Sequence, residues 1–255
     1  MLTADEAARY ERQIMMGGFG EEGQEKLKRA RVFIAGAGGL GSPASIYLTA
    51  AGVGMMRIVD HDKVELSNLN RQILHYDEDT GKRKVDSALE KLKRLNGSVK
   101  IEALQETITE ANVSQLLAGF DLIVDALDNL PTRYILNKAA LERNIPLFHG
   151  AAYGFEGRAM TIIPSQTACL RCLYRGVLGI GCHRVVGITP AVIGCIQATE
   201  VIKYILGIGE LLTDRLLTFN GLNMKFTEFK VRKDPNCEHC GHLAGGKKHG
   251  YKGTY

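Results

Sequence analysis

The segment Gly36-Ala37-Gly38-Gly39-Leu40-Gly41 follows the apolar run Val32-Phe33-Ile34-Ala35 and opens a stretch with helical character. A strand that feeds a glycine-rich turn and then a helix can bring bare backbone against a phosphate chain, so the chain must build at least one βαβ unit around this loop. A second apolar run, Ile58-Val59-Asp60, ends in an acid about 20 residues further on, where a carboxylate can take ribose hydroxyls. Loop and acid together specify a nucleotide. Beyond them lie Asp62, Asn68, Arg71, Gln72 and Lys84, a set that a nicotinamide enzyme has no need of. Cations and amides at this place suit a nucleotide whose phosphates are to be attacked.

Apolar runs predict strands near 31–35, 55–60, 99–104, 121–126, 146–150 and 158–163, with helical patterns near 40–51, 83–95, 109–118 and 131–144. Strands separated by helices of this length predict an α/β fold: a doubly wound, mostly parallel Rossmann-like sheet with helices on both faces. Ahead of it, Thr3 and Glu6 are spaced as a capping box for a helix carrying Tyr10, Arg12 and Ile14, and a second helix is expected near 21–29. After residue 150 the chain turns glycine-rich, then forms a long apolar helix near 190–206 and two strand-like runs, 216–219 and 224–231, around Asn220-Gly221. The expected organisation is a single domain over 1–242, with a nucleotide-binding half of about 1–150, a second part of about 151–242, and a disordered tail over 243–255. With 45% apolar and 24% charged residues, the 255-residue chain reads as an ordinary globular protein. No apolar run approaches the ~18 residues of a membrane span, and the polar N-terminus does not read as a secretory signal, so a cytoplasmic protein is expected. The net charge of +4 gives no reason to expect a nucleic-acid partner.

Four of the six cysteines pair as Cys169-Leu170-Arg171-Cys172 and Cys237-Glu238-His239-Cys240. Two such knuckles in a reducing compartment predict a tetrahedral zinc, because thiolates at i and i+3 can face one ion and two pairs complete its shell. Disulfides and a thioredoxin-like redox pair are the competing readings. A fully sulfur-ligated ion leaves no open position for water or substrate. The metal is therefore expected to be structural, clamping the C-terminal antiparallel strands to the segment after residue 163. Cys195, inside the apolar helix, reads as packing, and His239 as a neighbour of the thiolates rather than a ligand.

Taken in order, Tyr10-Glu11-Arg12-Gln13, the glycine loop, Val59-Asp60-His61-Asp62, Leu66-Ser67-Asn68-Leu69-Asn70-Arg71-Gln72, Gly81-Lys82-Arg83-Lys84, Asp125-Ala126-Leu127-Asp128-Asn129, both cysteine knuckles and Gln197-Ala198-Thr199-Glu200 resemble the ubiquitin-activating-enzyme-like adenylyltransferases of the ThiF/MoeB/HesA group. The resemblance covers residues 8 to about 242. It implies a homodimer that activates the C-terminal Gly-Gly of a small ubiquitin-fold sulfur-carrier protein with ATP and Mg²⁺, for sulfur transfer in thiamine, molybdopterin or related biosynthesis. The second part, 151–242, would then bind the carrier. No rhodanese-like stretch follows the zinc knuckles, so a separate sulfur donor is expected.

The side chains can be assigned to that chemistry. An ionised carboxylate needs no general base to attack the α-phosphorus of ATP, so cations should outnumber bases. Arg71 and Lys84 are suited to hold the triphosphate and departing pyrophosphate, joined by Arg12 if the first helix reaches across a dimer. Asp128 is suited to Mg²⁺ and Asp60 to the ribose, with Asn68 and Gln72 as neutral donors. Gly36, Gly38, Gly39, Gly41, Asp62 and Asn129 complete the expected nucleotide site. The resemblance assigns the same roles and places Arg12 in the partner's site. It also aligns Cys182 with a crossover cysteine that attacks the adenylate in some members and is dispensable in others, which leaves Cys182 either a nucleophile or a plain thiol. Three alternatives stay open: a relative that activates a carboxylate on a modified tRNA, a nicotinamide oxidoreductase, and a non-catalytic zinc scaffold.

Overall fold

The computed structural model describes residues 1–175 and 184–243. Cys182 and all of the expected disordered tail except Leu243 lie outside the described residues. The N-terminus starts as the sequence predicts: Thr3 Oγ1 accepts from the Glu6 amide at 3.2 Å, and the Glu6 carboxylate accepts from the Thr3 amide at 2.7 Å. The single helix expected there is instead two, α1 (Ala4–Arg9) and α2 (Glu11–Ile14). The break falls at Tyr10, whose ring is buried and whose hydroxyl accepts from Asn96 Nδ2 at 2.7 Å. A tethered side chain thus overrides continuation of the helix. The next helix, α3 (Gly20–Arg29), leads into the sheet.

Five strands run parallel: β1 (Arg31–Ala35), β2 (Met55–Val59), β3 (Lys100–Leu104), β4 (Leu122–Asp125) and β5 (Leu147–Tyr153). Antiparallel β6 (Glu156–Ile162), β7 (Arg215–Asn220) and β8 (Lys225–Lys230) extend the same sheet, giving the order β3-β2-β1-β4-β5-β6-β7-β8. The Asn220-Gly221 signal marks the β7–β8 hairpin, with Asn220 opposite Lys225.

Alternation along each strand sorts side chains between two cores. On β1, Val32 and Ile34 enter one core with α3, α4 (Gly41–Ala51), α5 (Lys84–Leu95) and α9 (Ile188–Leu206). Phe33 and Ala35 enter the other, with α6 (Val113–Leu116), α7 (Leu130–Glu142) and α8 (Leu170–Leu173). Helices therefore cover both faces, as predicted for a parallel sheet. The expected 109–118 helix shrinks to the four residues of α6 because Asn112 captures the backbone before it. Its Oδ1 accepts from the Thr109 amide at 2.8 Å and its Nδ2 donates to the Thr107 carbonyl at 2.9 Å.

The strand order makes β1 the switch point: β2 and β3 lie to one side of it, β4 and β5 to the other, so a crevice opens at the carboxyl ends of β1 and β4. The long helix α9 holds the far side of this crevice, since Gln197 Nε2 donates to the carbonyls of Asp125 and Phe148, each at 2.8 Å. No helix of the described residues is long and apolar enough to cross a membrane.

Candidate active site

The glycine loop forms the floor of the crevice. Gly36 has φ +103°, and a Cβ on it would stand 2.7 Å from the Ala126 carbonyl oxygen; a Cβ on Gly41 would lie 1.9 Å from the Gly36 carbonyl oxygen. Only glycine lets the turn close this tightly between β1 and α4. The Ala37 peptide is pinned on both sides: its amide donates to Asp60 at 2.8 Å, and its carbonyl accepts from His75 Nε2 at 3.0 Å. A carbonyl only accepts, so His75 Nε2 carries the proton and Nδ1 accepts from the Ser87 hydroxyl at 2.9 Å. Burial pushes the His75 pKa down, which favours this neutral form. With Ala37 fixed, the amides of Gly38, Gly39 and Leu40 bond to no described residue. They face the crevice at the N-terminal end of α4, an arrangement that attracts anions.

Ten residues expected at the nucleotide come together around this loop: Gly36, Gly38, Gly39, Asp60, Asp62, Arg71, Gln72, Lys84, Asp128 and Asn129 all line the crevice. The Asp60 carboxylate accepts from both the Ala37 and Asp62 amides at 2.8 Å. Lys84 is buried and donates to Asp62 at 2.8 Å, so the cation is held in place by its own acid. Arg71 leans on the Ser67 carbonyl at 2.8 Å and Asn70 Oδ1 at 3.0 Å. Gln72 Oε1 is buried with no hydrogen-bond partner among the described residues, an orphaned acceptor that a ligand donor can satisfy. On the opposite wall Asp128 is exposed, and Asn129 caps α7 by accepting from the Thr132 amide at 2.9 Å.

Three expected site residues do not line this crevice within one chain. Gly41 serves the loop closure just described. Asn68 is buried below the floor, where its Oδ1 accepts from the Glu65 amide at 3.1 Å and shapes the turn that carries Arg71. Arg12 is exposed on α2. The crevice also includes residues that were not anticipated: Glu106, Thr107 and Ile108 after β3, Thr132 and Arg133 on α7, and Pro190 on the first turn of α9. Arg133 stands four residues past the cap of a helix at the switch point, which was the available signal.

The four knuckle cysteines meet, with all four sulfurs within 4.8 Å of one another and all four residues buried. Cys169 and Cys237 sulfurs are 3.7 Å apart, and Cys172 and Cys240 3.5 Å. A disulfide needs about 2.05 Å, whereas ligands of a tetrahedral zinc with ~2.3 Å bonds are separated by about 3.8 Å. Burial and the neighbouring thiols push the Cys169 pKa up to about 11 and that of Cys240 up as well, so these sulfurs ionise only against a cation. The donor set therefore fits zinc. His239 sits beside it with Nδ1 accepting from Asn137 Nδ2 at 2.9 Å, and Cys195 is half-buried in α9, away from the cluster.

A model of the ThiF family matches residues 10–239. The chain belongs to the ThiF family. Among ThiF-family relatives it is 44% identical over 246 residues to the SAMP-activating enzyme E1 of Haloferax volcanii, covering 94% of this chain and 91% of that one. It is 42% identical over 250 residues to the sulfur carrier protein adenylyltransferase of Thermus thermophilus, covering 94% and 92%. Against the maize adenylyltransferase and sulfurtransferase MOCS3-1 the identity is 42%, and the chain spans 53% of that protein's length. The fold is shared with Escherichia coli MccB, at a TM-score of 0.83 and 23% identity, over 91% of this chain and 75% of MccB.

Proposed function

We propose that the protein adenylates the C-terminal glycine carboxylate of a small ubiquitin-fold sulfur carrier with ATP, releasing pyrophosphate and leaving an acyl adenylate open to sulfur transfer. The observation that carries this reading is the division of the crevice: unbonded loop amides, Asp60, Arg71 and Lys84 on one wall, and exposed Asp128 on the other. A nicotinamide enzyme gives those cations no work. The ThiF-family relatives named for a sulfur carrier and for SAMP support the substrate class.

Asp60 takes the ribose hydroxyls, and the Gly38–Leu40 amides cradle the phosphates. The carboxylate oxygen of the carrier forms a bond to the α-phosphorus as the bond from that phosphorus to the β-bridging oxygen breaks. Arg71 and Lys84 stabilise the charge that accumulates on pyrophosphate. Mg²⁺ bound at Asp128 would neutralise phosphate oxygens during this displacement. Exposed Arg12 enters the crevice of a second protomer in a homodimer. Zinc held by Cys169, Cys172, Cys237 and Cys240 would tie the segment that follows β8 to the one that begins α8.

The test is exchange of labelled pyrophosphate into ATP, with and without a Gly-Gly-terminated carrier. Exchange should require the carrier, and Asp128→Ala should abolish it with zinc content and the thermal transition retained. Equal exchange in the variant would remove Asp128 from the metal site. Absence of carrier-dependent exchange in the wild type would overturn the function.

A further inference from the structure

Behind the Asp128 wall runs a chain of buried polar groups that the chemistry above does not use. Asp125, at the end of β4, accepts from His149 Nδ1 at 2.7 Å, and both side chains are fully buried. With that proton on Nδ1, His149 Nε2 accepts from the Tyr174 hydroxyl at 2.8 Å, and the Tyr174 carbonyl accepts from the Tyr134 hydroxyl at 2.9 Å. On its other side Asp125 Oδ1 accepts from the Leu127 amide at 3.2 Å and lies 3.5 Å from Arg133 Nε. That Nε has no hydrogen bond among the described residues. Arg133 Nη2 reaches across the crevice wall, donating to the Gly150 carbonyl at 2.7 Å and to the Leu127 carbonyl.

Asp128 has little anchorage of its own. It is exposed, and its only side-chain hydrogen bond among the described residues is from its neighbour Asn129, at 3.3 Å. Where its carboxylate stands therefore follows from the backbone of Ala126–Asp128. That turn is held at the Leu127 amide by Asp125 and at the Leu127 carbonyl by Arg133. A guanidinium is rigid and planar, so a single Nη2 bridging two carbonyls sets their separation.

We propose that Arg133, with Asp125, His149 and Tyr174 behind it, is a positioning residue for adenylyl transfer: it clamps the Ala126–Asp128 turn to β5 and so sets the Asp128 carboxylate. The inference rests on the reading of the crevice as an adenylation site. A merely structural clamp would change stability and leave the chemistry of the folded fraction intact. A positioning clamp lowers kcat at saturating ATP and carrier.

Tyr174→Phe keeps the ring and removes the proton donated to His149. It should lower kcat for carrier-dependent exchange about five-fold, with KM for ATP within two-fold and zinc content unchanged. Arg133→Gln should lower kcat at least 100-fold, and Arg133→Lys should recover part of it. Unchanged kcat in Tyr174→Phe, or a loss confined to KM, would overturn the proposal. Binding of ATP with and without Mg²⁺ separates this from the fate of the function itself. In the wild type Mg²⁺ should tighten ATP binding; Arg133→Gln should erase most of that gain, and Tyr174→Phe should reduce it by less than two-fold. Neither variant should weaken binding further when combined with Asp128→Ala. Additive losses in the double variants, or an undiminished Mg²⁺ gain, would refute the clamp whether or not the wild type shows exchange.

Discussion

His149 makes acid sensitivity calculable. The ring is fully buried between Asp125, Arg133 and Tyr174, with the charge of Arg158 also acting on it. Burial pushes its pKa below the ordinary value; the hydrogen bond to Asp125 opposes this, and the charges of Arg133 and Arg158 add to it. The unfolded chain therefore takes up a proton first, and stability must fall as pH drops below about 6.5. If the folded ring stays neutral to pH 5.5, the unfolded imidazole gains RT ln 11, about 1.4 kcal/mol, relative to less than about 0.1 kcal/mol at pH 7.5. The Asp125 pKa is also depressed: burial raises it, but Arg133 and His149 more than offset this. The stability it adds is lost only near pH 4 and below, outside this window. The measurement is urea unfolding at pH 7.5 and 5.5 for the wild type and for His149→Asn, whose amide can still donate to Asp125, with bound metal quantified at each pH. The wild type should lose about 1.4 kcal/mol more than the variant between the two pH values. Parallel losses would show that the folded ring titrates normally, and that burial does not keep it neutral at pH 5.5.

Gly41→Ala places a methyl 1.9 Å from the Gly36 carbonyl oxygen, where no side-chain rotation relieves the clash. It should cost about 1–3 kcal/mol in chemical denaturation and eliminate ATP binding measured by calorimetry. The purified protein should carry one zinc per chain by native mass spectrometry. A structural site of this kind contributes on the order of 10 kcal/mol, and loss of even a third of it on chelation lowers Tm by about 10 °C. A chelated protein with unchanged Tm would rule out a structural metal.

How much of this was legible in the sequence depended on what a residue holds. The strands were readable because apolar runs such as 31–35 and 55–59 are local, and the cysteine cluster because each knuckle declares its chemistry within four residues. The crevice-lining side chains were readable for the same reason: Asp60, Arg71 and Lys84 stand in order beside the glycine loop. His75 and Arg133 were not, because each acts on a backbone carbonyl that comes near only after folding: His75 on Ala37, 38 residues away, and Arg133 on Gly150, 17 residues away. The break at Tyr10 was hidden likewise, since its partner Asn96 lies 86 residues on.

Asp125 and Asp128 make the distinction sharpest, because they share one short motif. By residue type either could hold a metal. The parallel register pairs Asp125 with Ala35 on β1 and with His149 on β5, and side chains in register on neighbouring strands point to the same face. Asp125 is thereby committed to the interior, where a histidine and an arginine meet its charge. Three residues later the strand has ended and Asp128 is free to face the crevice. One carboxylate builds the wall and the other stands exposed on it. The end of β4 decides which, and that boundary is a property of the sheet rather than of the motif.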